Sequence, residues 1–161
     1  MRLFSAFLLL LAFGVAAGIA EEVKPLRAVL VAGGCCHDFE KQKGILSEGI
    51  SKRARVEWTI VHEGGTSRDH KVSIYSKPNW WKGYDVVLHN ECFGAVKDDA
   101  FIESITAAHM AGVPAVMLHC SSHSYRAGMT DEWRKLVGIT SRSHEKLRDL
   151  KEDIEAGASG D

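Results

Sequence analysis

The chain lacks an excess of either charge. Its 161 residues include 20 Lys and Arg against 21 Asp and Glu, a formal net charge of −1 at pH 7. Such a balance leaves no basic footprint for phosphate backbones or anionic lipid, so nucleic acid is not expected as a partner. Cysteine is too sparse for a stapled framework: Cys35 and Cys36 are adjacent, and Cys92 and Cys120 lie far away in sequence. That spacing leaves room for one or two disulfides without fixing their pairing. The chain has no metal motif of the HExxH kind, no internal repeat and no second domain.

Long apolar runs are confined to the N-terminus. Arg2 precedes an apolar stretch over residues 3–15 that ends in small residues, and Glu21, Glu22, Lys24 and Pro25 close it abruptly. We read residues 1–20 as a secretory signal peptide, which implies a secreted or periplasmic protein with no stable membrane span after cleavage. The whole chain is 45% hydrophobic, enough for one core.

Past that segment, apolar runs alternate with helical patterns. Residues 27–32 (RAVLVA) form a strand buried on both faces, stopped by Gly33 and Gly34. Residues 39–53 place Phe39, Ile45, Leu46 and Ile50 at helical spacing. Strands follow over residues 55–61, 84–89 and 113–118, with helices over 98–110, opened by Asp98, and 130–137, opened by Thr130 with Trp133 and Leu136 facing the core. Residues 62–82 are irregular, a stretch that is functional or covers something, and residues 145–161 form a charged tail. Such alternation predicts an α/β fold: a parallel sheet with helices on both faces, flavodoxin-like if its order is 2-1-3-4.

Ligand-capable residues gather where the predicted strands end. They are Cys35, Cys36, His37 and Asp38 after the first; His89, Asn90, Glu91 and Cys92 after the third; and His119, Cys120, Ser121, Ser122 and His123 after the fourth. In order 2-1-3-4 these ends border one crevice, the usual ligand site of a doubly wound sheet. Three chemistries remain open. His37, His119 and His123, with or without Glu91, could hold a divalent metal such as zinc. His119 could act as a general acid or base oriented by Glu91. Cys120 could be a nucleophile beside His123 or His144. Asn90, Ser121, His123 and Tyr125, with His37, are candidates for holding the substrate.

Four stretches in order, "VLVAGGCCHDF", "YDVVLHNE", "AGVPAVMLHCSSHSYR" and "EWRKLVGITSRSHE", resemble the trehalose-utilisation (ThuA-like) family of the class I glutamine amidotransferase-like superfamily. The resemblance covers residues 27–144. It implies a three-layer flavodoxin-like α/β/α domain with its site at the strand ends, and a small carbohydrate-derived ligand. At the position of the amidotransferase cysteine this chain carries His119, as ThuA-like proteins do, with Cys120 one residue later, which points away from amidotransferase chemistry. ThuA-like domains continue with further strands where this sequence turns to "KLRDLKEDIEAGASGD", so the domain is expected to be shortened and a homo-oligomer or other partner is an open alternative. The expectation is a carbohydrate-active hydrolase or lyase; a noncatalytic binding module and a cysteine hydrolase are its rivals.

Overall fold

The computed structural model describes residues 23–140. The signal-like segment at residues 1–20, His144 and the charged tail at 145–161 lie outside the described residues. Elements follow in the order β1 (Leu26–Gly34), α1 (Phe39–Ser51), β2 (Val56–His62), β3 (Val86–Cys92), α2 (Asp99–Met110), β4 (Ala115–Met117) and α3 (Glu132–Val137), with single 3-10 turns at Ser73–Ser76 and His119–His123. The four strands form a parallel sheet in the order β2-β1-β3-β4. This is the α/β arrangement anticipated above. Among the described residues no helix is long and apolar enough to cross a membrane.

Central position explains the composition of β1. Flanked by β2 and β3, its residues from Ala28 to Gly34 are all buried, as parallel strands covered on both faces must be. Pleating sends Val29 and Val31 to one face, where Val87, Phe101, Ile102, Ile105, Tyr125 and Trp133 complete the main core with α2 and α3. Ala32 faces the other way and packs with Phe39, Cys92 and Cys120 in a smaller cluster on the α1 side. Helix starts obey local chemistry: Asp38 accepts from the Lys41 amide and Asp98 from the Phe101 amide, each satisfying an otherwise orphaned donor.

Three expectations change in detail. Strand β3 runs on to Cys92 instead of stopping at His89, so His89, Asn90, Glu91 and Cys92 are strand residues pointing alternately to the two faces. Helix α3 begins at Glu132; Thr130 Oγ1 accepts from the Glu132 amide at 3.4 Å, although Asp131 holds the cap position. Ile45 is 63% exposed instead of facing the core. The irregular segment after β2 does cover something: Val72, Ile74, Tyr75 and Trp80 close the main core, and Trp80 Nε1 donates to the Ser104 carbonyl at 3.1 Å. A burial of that kind makes Trp80 a core residue.

A short helix would hold poorly without an anchor, and Trp133 supplies it. Its ring packs on Tyr125 and His89, and its Nε1 donates to the buried Ser121 carbonyl at 3.0 Å. Trp133→Ala should destabilise the fold by about 3–5 kcal/mol, read by urea denaturation, while Trp133→Phe should cost about 0.5–1.5 kcal/mol through the loss of one hydrogen bond, since the Ser124 amide still donates to the Ser121 carbonyl. Equal stability of wild type and Trp133→Ala would contradict this anchoring role.

Candidate functional site

The two glycines closing β1 bring the strand ends together. A Cβ at Gly33 would lie 2.0 Å from the Glu63 carbonyl oxygen, and one at Gly34 would lie 2.4 Å from that of Cys92. Both glycines also have positive φ, 144° and 100°, so no other residue fits there without moving the backbone. Cys35, Cys36 and His37 therefore emerge directly over the end of β3.

The end of β4 is tied down by serines. Once the ladder stops at Met117, the Ser121 hydroxyl donates to the His89 carbonyl, and the Ser124 hydroxyl donates to the Glu91 carbonyl at 2.7 Å while accepting from the Phe93 amide at 3.1 Å. Hydroxyls thus satisfy backbone groups that a longer strand would have paired. The turn they fix presents His119 outward and Cys120 inward: His119 is exposed and Cys120 is buried.

His37, His119 and Cys120 converge. His37 Nε2 lies 2.9 Å from Cys120 Sγ, His119 Nδ1 lies 3.6 Å from the same sulfur, and the two imidazole centroids are 5.4 Å apart. The three ligand-capable atoms all lie within 4.8 Å of one another. They border a cavity of about 240 Å³ whose other walls are apolar Ile45, Leu46 and Leu118 and polar Gln42 and Asn90. Asn90 Nδ2 donates to Gln42 Oε1 at 3.1 Å, which orients both amides at the wall. Burial first, then the adjacent Cys92, pushes the Cys120 thiol up to about 11.

A sulfur cluster adjoins this group. Cys35 and Cys36 are joined by a disulfide, whereas Cys92 and Cys120 are free and buried. Cys35 Sγ is 3.9 Å from Cys92 Sγ, and the sulfurs of Cys35, Cys36 and Cys92 also lie within 4.8 Å of one another. Burial raises the Cys92 thiol, while its hydrogen bond with Cys120 acts in the opposite direction.

The remaining sequence candidates go elsewhere. Glu91 cannot orient His119, because the pleat of β3 turns it to the main core, where Oε1 accepts from Tyr75 at 3.0 Å and lies 2.9 Å from His89 Nδ1 and 3.4 Å from the Tyr125 hydroxyl. Tyr125 is accordingly a core residue with no face on the cavity, and burial followed by the Glu91 charge holds both the Tyr75 and Tyr125 hydroxyls well above their ordinary range. Ser121 is fully buried with its hydroxyl on the His89 carbonyl. His123 is buried, with its ring centroid 6.2 Å from that of His119, and it does not join the group of mutually close ligand atoms. His109, in the last turn of α2, donates through Nδ1 to the Val113 carbonyl at 2.7 Å. Burial lowers its pKa, and its Nε2 lies 3.0 Å from His89 Nε2. Gln42 was not anticipated; it sits one turn into α1 with no distinctive neighbour in sequence to mark it.

Comparison with known proteins adds little to this geometry. No family model matches the chain, and no solved structure matches it. Among curated proteins it is similar to Synaptotagmin-A of Diplobatis ommata, 28% identical over an alignment of 130 residues that covers 70% of this chain. The match spans 30% of that protein's length, and the identity is too low to assign a family.

A buried thiol raised to this extent reacts slowly. With the ordinary value of 9.0 moved to about 11, metal-free protein near neutral pH should hold roughly a hundredfold less Cys120 thiolate than an unperturbed thiol. Iodoacetamide labelling followed by peptide mass spectrometry should show Cys120 modification rising only as pH climbs toward 11. Rapid labelling at pH 7 would contradict the shift.

Proposed function

We propose that His37, His119 and Cys120 form a divalent-metal centre, zinc by preference, through which this exported protein processes a small polar, carbohydrate-derived molecule seated in the adjoining cavity. The observation that carries the reading is the mutual approach of three ligand atoms within 4.8 Å beside that cavity. Zinc bonds of about 2.0–2.3 Å in a tetrahedron set neighbouring ligand atoms about 3.3–3.8 Å apart. The 3.6 Å contact already fits that range, and the 2.9 Å contact needs to open by about half an ångström. Three protein ligands leave the fourth position of a tetrahedron for water or substrate, the pattern of catalytic zinc sites.

The thiol favours the same reading. A proton affinity raised by burial makes Cys120 a poor free nucleophile at neutral pH, whereas a bound cation removes the thiol proton outright and converts it to a ligand. Such a metal would polarise a carbonyl or activate water. Gln42 and Asn90 supply amide donors and acceptors suited to sugar hydroxyls, and Ile45, Leu46 and Leu118 suit the apolar face of a ring. The ThuA-like stretches support the carbohydrate-derived class of ligand, and the signal-like N-terminus supports export.

A second reading rests on the 2.9 Å contact of His37 with Cys120: a Cys–His pair acting as nucleophile and base. The two separate cleanly. Elemental analysis of the purified protein should find close to one zinc or other divalent ion per chain, lost in His119→Ala and in His37→Ala, and chelation should abolish turnover of keto-sugar or glycoside substrates. Metal-free protein that retains turnover, and loses it on alkylation of Cys120, would overturn the metal reading in favour of the nucleophile.

A further inference from the structure

We infer that Cys35, Cys36 and Cys92 constitute a second, redox-gated site for a soft metal ion, Cu(I) foremost, closed in the disulfide form and opened by thiol reduction. The site is independent of the His37, His119 and Cys120 centre in its residues.

Geometry places three sulfurs together from two strand ends. The disulfide joins Cys35 and Cys36 directly after the Gly33-Gly34 turn, and Cys36 itself has φ 88°, which keeps the chain curling over β3. Cys92 closes β3, and its Sγ is 3.9 Å from that of Cys35. All three sulfurs lie within 4.8 Å of one another, a separation a single ion could bridge once each is a thiolate. Three thiolates with no carboxylate among them are a soft ligand set, which selects Cu(I) or zinc over calcium or magnesium.

The gate follows from sulfur chemistry. While Cys35 and Cys36 share a bond, the cluster offers one thiol, that of Cys92. Cys36 is exposed and Cys35 half-buried, so an external thiol can reach the bond. Its thiolate attacks Cys36 Sγ, the Cys35–Cys36 bond breaks, and Cys35 departs as a thiolate that takes up a proton. A second external thiolate attacks the external sulfur of the mixed disulfide and releases Cys36. Two external thiols thereby become one external disulfide, and the protein gains two thiols. Binding of the ion then displaces the protons of the three cysteines.

The close approach at Gly34 positions the set. Because its missing Cβ lets β1 settle against the Cys92 carbonyl, any larger residue there would drive Cys35 away from Cys92 without altering either sulfur.

The test uses Cu(I) competition against a chromophoric Cu(I) chelator, on full-length protein before and after reduction by a small thiol that is then removed under anaerobic conditions. Reduced wild type should hold one more Cu(I) than oxidised wild type. Cys36→Ser, at an exposed position where folding is not at stake, should weaken that extra binding by more than the roughly 10- to 100-fold cost of losing a mere outer-shell partner. His119→Ala should leave the extra binding unchanged, so that failure of the zinc proposal and failure of this one are told apart. Equal Cu(I) binding before and after reduction, or full affinity in Cys36→Ser, would overturn the inference. Retention of Zn2+ against excess Cu(I) at this site would overturn the assignment of the ion.

Discussion

The structure depends on one backbone approach. Gly33 and Gly34 end a strand packed on both sides, and at that point the chain passes so near the Glu63 and Cys92 carbonyls that a side chain would occupy the same space. Everything chemical in the domain stands on this contact. It ends β1 one residue before the cysteine pair, sets Cys35 beside Cys92, and delivers His37 over the turn after β4. Parallel pairing then does the rest, since strands that run in one direction place their carboxyl ends along one edge.

Strand β3 divides the chemistry by parity. His89 and Glu91 project into the main core and form a closed network with Tyr75, Tyr125 and His109, whereas Asn90 and Cys92 project toward α1 and the cavity. The first pair holds the fold together. Its cost is visible in Glu91 Oε2, a buried oxygen without a hydrogen-bond partner among the described residues, a deficit of about 1–3 kcal/mol set against three contacts on Oε1. Side-chain direction, not residue type, therefore decides which polar residue of "HNEC" serves structure and which serves the site.

That division marks the limit of what could be read in sequence. The strand order and the helix cap at Asp98 were legible, because apolar runs broken by glycine and acidic residues at helix starts follow local rules. The continuation of β3 was not. "VVL" ends its apolar run at Leu88, so the polar residues after it resemble a loop; they remain in the ladder because Gly33 and Gly34 stand opposite Glu91 and Cys92 and leave room for them. Ser121 and Tyr125 were misplaced for a related reason. Nothing local says that a serine hydroxyl will satisfy the carbonyl of a neighbouring strand, or that Tyr125, at φ 56°, turns back into the core. Convergence of His37 with His119 and Cys120 was legible as a region, but Gln42 and the three-sulfur set emerged only from packing.

Burial of the two free thiols ties the halves of the site together. Cys92 and Cys120 sit in one small cluster with Ala32 and Phe39, and each perturbs the other's proton affinity. A cation at His37 and His119 would draw Cys120 toward the thiolate. Oxidation state at Cys35 and Cys36 acts on Cys92 from the other side, since a free Cys35 thiol within 3.9 Å offers it a new partner. One buried pair of sulfurs thus lies between a position suited to imidazole-bound metal and a position suited to thiol exchange, with Cys120 belonging to the first group and Cys92 to the second.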